Sequence, residues 1–137
     1  RLSLVQGIKE GLIDVIISDH LPEDEESKRL PFAQAATGAI GVETLLPLSL
    51  EMYHNKSLPL NKIIETLTIN PAKILQIKKG SLSKGSDGDI CIFDLEAPWA
   101  VKAEELKSKS KNTAIEGRKL QGKVLMTFLN GELVFSQ

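Results

Sequence analysis

Asp19 and His20 are the side chains whose type and position most suit chemistry. They follow the β-branched run Leu12-Ile13-Asp14-Val15-Ile16-Ile17-Ser18 and precede Leu21-Pro22, so they sit where a strand hands over to a loop. A carboxylate at such a strand end can bind a metal, take a proton from a water that the metal acidifies, or do both. In a (β/α)8 barrel the reactive groups hang from the C-terminal strand ends, because those ends converge on one mouth. The dipeptide by itself is also compatible with a structural role, in which Asp19 caps the loop and His20 satisfies a backbone carbonyl.

The continuous apolarity of Leu12 to Ser18 predicts a strand buried on both faces, as in a parallel sheet flanked by helices. Before it, Leu2, Val5 and Ile8 recur at helical spacing and Gly11 is a stop signal. The chain has no initiator Met and opens inside this helix, so it reads as the C-terminal part of something longer. After Asp19-His20 comes a charged stretch, Glu23 to Arg29, expected to be a solvated lid surface. An irregular segment follows, Leu30 to Gly41, longer than the roughly two to six residues of a strand-to-helix connection. Its Phe32, Ala33, Ala35, Ala36 and Ile40 argue against disorder.

Three helices are predicted next. One starts at Glu43 or Thr44 and runs to about Tyr53, with Pro47 in its first turn. The second runs from Pro59 to about Leu67 with Ser57 as cap. The third is capped by Asn70, with Pro71 at the first helical position, and runs through Leu75. Near Lys78 the pattern changes: Gly80, Gly85 and Gly88 punctuate, and Asp89 to Phe93 reads as a strand. Lys123 to Leu129 and Glu132 to Phe135 flank Asn130-Gly131, a hairpin signal because both turn residues must take φ > 0. Lys102 to Asn112 reads as a charged, mobile connection. The expected division is therefore an α/β part, 1–77, and a mostly β part, 78–137.

Composition narrows the function classes. The 137 residues carry 17 Lys+Arg against 18 Asp+Glu, so no basic face recruits nucleic acid. Apolar runs such as Leu45 to Leu50 fall far short of the ~20 residues a membrane helix needs. One cysteine makes neither an internal disulfide nor a cysteine-based zinc site. With no secretory signal at Arg1, a cytoplasmic location is expected.

Five separated segments carry a resemblance. Asp19-His20-Leu21-Pro22, Glu26-Ser27-Lys28, Pro31-Phe32, Ala35-Ala36-Thr37-Gly38 and Gly41-Val42-Glu43-Thr44 align without a gap to the last-strand segment of dihydroorotases, members of the metal-dependent amidohydrolase superfamily. Thr66 to Ala72 resembles that family's Thr-x-Asn-Pro-Ala helix entry, and Gly85 to Asp94 its Gly-x-x-Ala-Asp-Leu-Val-Ile-Phe-Asp strand. Ser108 to Thr113 with Gly117, and Gly122 to Gly131, match as well.

The resemblance implies the C-terminal part of a (β/α)8 TIM-type barrel plus a small β-sandwich-like domain. It implies reversible cyclisation of N-carbamoyl-L-aspartate to L-dihydroorotate, in pyrimidine synthesis. Asp19 would be the general base and acid and would touch one or two Zn²⁺, while Thr37 and Gly38 would bind substrate through the main chain. The other metal ligands belong to upstream strands, so residues 1–137 alone are expected to be inactive and to need the N-terminal remainder of the protein. A homo-oligomer or an aspartate transcarbamoylase partner is implied by the same family.

Two positions depart from the family pattern. Its second His, a substrate contact, is Glu23 here, an anion facing a substrate that carries carboxylates. Its Pro is Ala36, which loosens the substrate loop. These changes keep open a non-catalytic homologue with a scaffolding role. Hydantoinases and allantoinases are less similar alternatives, since hydantoinases tend to show Glu-x-Arg where this chain has Glu43-Thr44. Of the remaining residues, His54 reads as an exposed helix-end cap, Cys91 as a core thiol, and Trp99 as packing between the β part and the barrel.

Overall fold

The computed structural model describes residues 2–137. Helix α1 (Leu2–Glu10) ends at Gly11, whose φ of 73° suits a glycine stop and whose N–H donates to the Ile8 carbonyl. A short helix α2 (Glu25–Lys28) follows the extended segment, capped by Asp24, whose carboxylate accepts the Ser27 N–H at 2.7 Å. That hydrogen bond holds the Asp24 carboxyl below its ordinary pKa. Helices α3 (Leu45–His54), α4 (Leu60–Leu67) and α5 (Ile69–Ile74) come next. Strand β1 (Ile90–Ala100), a 3₁₀ turn (Ala103–Glu105), and strands β2 (Lys119–Leu129) and β3 (Glu132–Ser136) complete the chain.

The strands form one antiparallel sheet in the order β1-β2-β3. Asn130 (φ 51°) and Gly131 (φ 83°) join β2 to β3 as the sequence predicts. Pro98 is tolerated because β1 is an edge strand, and it adjoins an irregularity between Asp94 and Pro98. There the Asp94 carboxylate turns back to accept the N–H groups of Glu96 and Ala97, at 2.9 and 3.1 Å.

Two apolar clusters organise the packing. In one, Ile8, Leu58 and Ile63 are buried, with Val5, Ile13, Ile16 and Leu67 against them, which joins α1, the extended segment and α4. In the other, Ile40, Val101, Leu106 and Leu120 are buried, with Leu48, Trp99 and Ile115 against them. This second cluster mixes residues from the helical part and the strands, as expected for Trp99.

Several expectations are corrected. Leu12 to Ser18 forms no strand: among the described residues it has no ladder partner, and a strand needs a neighbour to take its N–H and C=O groups. Ile13 and Ile16 pack inward, whereas Leu12 and Ile17 are 76% and 71% exposed. Ser57 makes no cap for α4, whose N-terminal flank is Pro59. Asn70 lies inside α5 and instead donates to the Asp14 carbonyl at 2.9 Å, tying that helix to the extended segment. Residues 102–112 are not a loose connection but hydrogen-bond to the 20–43 region. His54 is half-buried, edge-on to Tyr53, with its Nε2 buried and unpartnered among the described residues. Cys91 is exposed rather than in the core, although partial burial raises its thiol pKa.

Candidate active site

Asp19 stands at the exit of the extended segment with φ of 46°, a left-handed conformation that Asp tolerates better than most residues. The turn separates two neighbours that the sequence places together. Asp19 is exposed and lines a cavity of about 470 Å³ with Ser18, Gly38, Gly41, Thr44 and Ala114. His20 faces a different groove of about 750 Å³, with Glu43, Trp99 and Lys107. Its Nδ1 accepts the N–H groups of Gly41 and Val42 at 3.1 and 3.3 Å, which requires the neutral ring with its proton on Nε2. His20 therefore fixes the turn after the long loop, by accepting from backbone N–H groups rather than donating to a carbonyl.

The loop that the resemblance assigns to substrate runs beside Asp19. His20 and Ala39 form an isolated parallel bridge, and the Leu21 N–H donates to the Ala39 carbonyl at 3.0 Å. Gly38 takes φ of 132°, and a Cβ there would lie 2.7 Å from the Leu21 carbonyl oxygen, so the close approach demands glycine. Thr37, next to it, is exposed. Asp19 and Gly38 thus share one cavity, and Thr37 adjoins it in the chain. Glu23 does not share it: it is half-buried and lines a groove of about 630 Å³ of mixed charge, with Asp24, Glu25, Lys28, Arg29, Lys109 and Lys111.

Three residues without a role in the sequence reading hold this arrangement. The Glu43 carboxylate accepts the Lys107 N–H at 2.9 Å on both oxygens and the Ser108 N–H at 3.1 Å. Lys28 and Asn112 donate to loop carbonyls. Lys28, Glu43 and Asn112 all lie inside the motifs quoted above, but the contacts join residues as much as 74 positions apart and have no local signature. Long-range contacts of this kind are invisible to spacing rules.

A metal centre is tested by its donor set. Among the described residues no group of three or more His, Cys, Asp or Glu could hold a metal ion. Asp19 offers the oxygen donors of one carboxylate, a single ligand where zinc takes three or four. The residues present do not make a metal site by themselves.

The amidohydrolase family profile matches residues 1–134. This chain belongs to the amidohydrolase family. Among curated amidohydrolase relatives, the dihydroorotase of Ehrlichia chaffeensis is 44% identical over 135 residues, covering 98% of this chain and 30% of that protein. The dihydroorotase of Aquifex aeolicus is 42% identical over 135 residues, 98% of this chain and 32% of that protein. In structure, the chain is similar to an L-hydantoinase (dihydropyrimidinase) from Arthrobacter aurescens, with a TM-score of 0.89 and 33% identity, over 97% of this chain and 31% of that one. A dihydropyrimidinase from Brevibacillus agri superimposes with a TM-score of 0.93 at 23% identity, over 98% of this chain and 31% of that one, a likeness of fold alone. The chain spans about a third of the length of the curated relatives it matches.

Proposed function

We propose that this chain is the C-terminal part of a dihydroorotase, a cyclic amidohydrolase interconverting N-carbamoyl-L-aspartate and L-dihydroorotate in pyrimidine synthesis. The observation that carries this reading is the cavity shared by Asp19 and Gly38, in a chain 42% to 44% identical to dihydroorotases along almost its whole length. The solved hydantoinase above is 33% identical, which supports the dihydroorotase assignment over the hydantoinase one.

In this reading Asp19 takes a proton from the attacking water and passes it to the leaving amide nitrogen, as a general base and then acid. Thr37 and Gly38 orient the substrate through their backbone. Zinc, one or two ions, would supply a water acidic enough for a carboxylate to deprotonate near neutral pH. Asp19 would contribute one ligand, with the rest from the N-terminal remainder of the protein. The extended segment 12–19 would then be a barrel strand and residues 78–137 part of a β-sandwich. Cytoplasmic location, self-association and an aspartate transcarbamoylase partner belong to the same proposal. Among the described residues no helix is long and apolar enough to cross a membrane.

Glu23 and Ala36 favour a second reading, a non-catalytic homologue with a scaffolding role. The placing of Glu23 in a groove that Asp19 does not line weighs against it. The test is to assay the full-length protein with both compounds after measuring its zinc content. Normal zinc binding without turnover of either compound removes the catalytic assignment.

A further inference from the structure

The polar side chains that converge on the loop beside Asp19 form a support that the proposed chemistry does not use directly. Lys28 Nζ donates to the Ala36 carbonyl at 2.6 Å and to the Gly38 carbonyl at 3.0 Å. Asn112 Nδ2 donates to the same Gly38 carbonyl at 2.9 Å. Lys28 follows four consecutive carboxylates, Glu23 to Glu26, yet it forms no ion pair among the described residues, whereas the adjacent Arg29 pairs with Glu25. An ammonium that bypasses nearby acids for two carbonyls of one loop is holding that backbone.

The peptide group is planar and trans, so fixing a carbonyl fixes the N–H on its opposite side. Holding the Ala36 carbonyl sets the direction of the Thr37 N–H, and holding the Gly38 carbonyl sets that of the Ala39 N–H. Glycine at φ of 132° has no steric preference that would hold the loop unaided. The cation also polarises the peptide group it binds, which strengthens the N–H on the far side as a donor to an anionic ligand.

Asn112 is itself anchored. Its carbonyl accepts the Ile40 N–H at 2.9 Å, and Ser110 Oγ donates to the Glu23 carbonyl at 2.7 Å. Glu43 grips the start of the same segment at Lys107 and Ser108. The connection between β1 and β2 is thereby built into the loop from outside the helical part.

We propose that Lys28 and Asn112 are positioning residues that hold the backbone of residues 36–39 in the geometry that binds substrate. This rests on the reading of Thr37 and Gly38 as substrate-binding. The experiment compares the full-length protein with its K28M, K28R and N112A variants, using steady-state kinetics on dihydroorotate and carbamoyl aspartate. Amide hydrogen exchange of residues 36–40 is measured alongside. K28M and N112A are expected to raise KM about tenfold with kcat within about threefold, and to speed exchange across 36–40, with K28R recovering part of both.

An unchanged KM, or a fall in kcat at constant KM, overturns the proposal. If the unaltered protein turns over neither compound, the functional reading fails, and exchange then decides the support alone: unaltered rates in K28M overturn it, faster rates sustain it. Should N112A not fold, N112D, which keeps the shape but loses the donor, is judged by the same exchange criterion.

Discussion

Gly122 is the position where one added methyl group should matter most. Its φ is 99°, outside the range that L side chains comfortably adopt. A Cβ there would overlap Leu50 Cδ1, and Leu50 is fully buried on α3. The Gly122 carbonyl accepts the Trp99 Nε1–H at 3.1 Å, so a shift in this backbone also disturbs the indole. Backbone strain of about 1–3 kcal/mol and overpacking of about 1–3 kcal/mol combine to a loss of roughly 2–6 kcal/mol in G122A. With a urea m-value near 2 kcal/mol/M, the midpoint should fall by about 1–3 M. Trp99 is the only tryptophan in the sequence, so its fluorescence reports unfolding at the affected contact. The L50A background separates the two contributions, because it removes the overlapping atom and leaves the dihedral strain. G122A should then cost only about 1–3 kcal/mol, giving a coupling energy of similar size in the double-mutant cycle. A loss below about 1 kcal/mol in the single variant, or an equal loss in both backgrounds, refutes the reasoning.

D19N in the full-length protein should lower kcat by about 10²–10⁴, with zinc content measured alongside to separate loss of the proposed metal contact from loss of the proton chemistry. E23H should change KM by less than about threefold, because Glu23 lines a groove that Asp19 and Gly38 do not share; a tenfold gain in affinity would make Glu23 a repulsive substrate contact. Asp89 should make the closing of the sheet sensitive to acid. The Asn130 N–H, 2.8 Å away, and the Lys79 ammonium hold its carboxyl below the ordinary 3.8. That stabilisation is present above 3.8 and lost as the pH falls through the depressed value. NMR of the Asn130 amide during acid titration should follow it, and D89N should abolish the effect. Lys79, raised above 10.5 by Asp87 and Asp89, acts in the opposite direction: its contribution is full below 10.5 and lost as the pH rises through the folded value. Alkaline titration of the same amide checks this.

The parts of the fold that obey local rules were legible in the sequence. Val5 and Ile8 mark α1 because an inward stripe must repeat with the helical period, whereas Leu2, at the same spacing, is left 86% exposed. Asn130-Gly131 marks the hairpin because few other pairs accept two positive φ angles. Asn70 departs from the cap role for a physical reason: an Asn before Pro has the composition of a cap, but its amide finds a partner in the Asp14 carbonyl, 56 residues away. At the site, Asp19 and Gly38 are singled out in the sequence through their family motif, and the fold places both on one cavity. The separation of His20 from Asp19 was not, because it depends on the φ of one residue. Nor were the donations of Lys28 and Asn112, which depend on where two distant loops come to rest.

The extended run from Leu12 to Ser18 has a consequence for handling the chain. It makes few backbone hydrogen bonds along its length, and the side chains of Leu12 and Ile17 project into water. An apolar ribbon with open flanks is a template for cross-chain strand addition. Preparations of these 137 residues alone should therefore clump as they are concentrated, and a short peptide copy of that run should seed the process. Light scattering against dilution would record it, and a lysine at position 17 should suppress it.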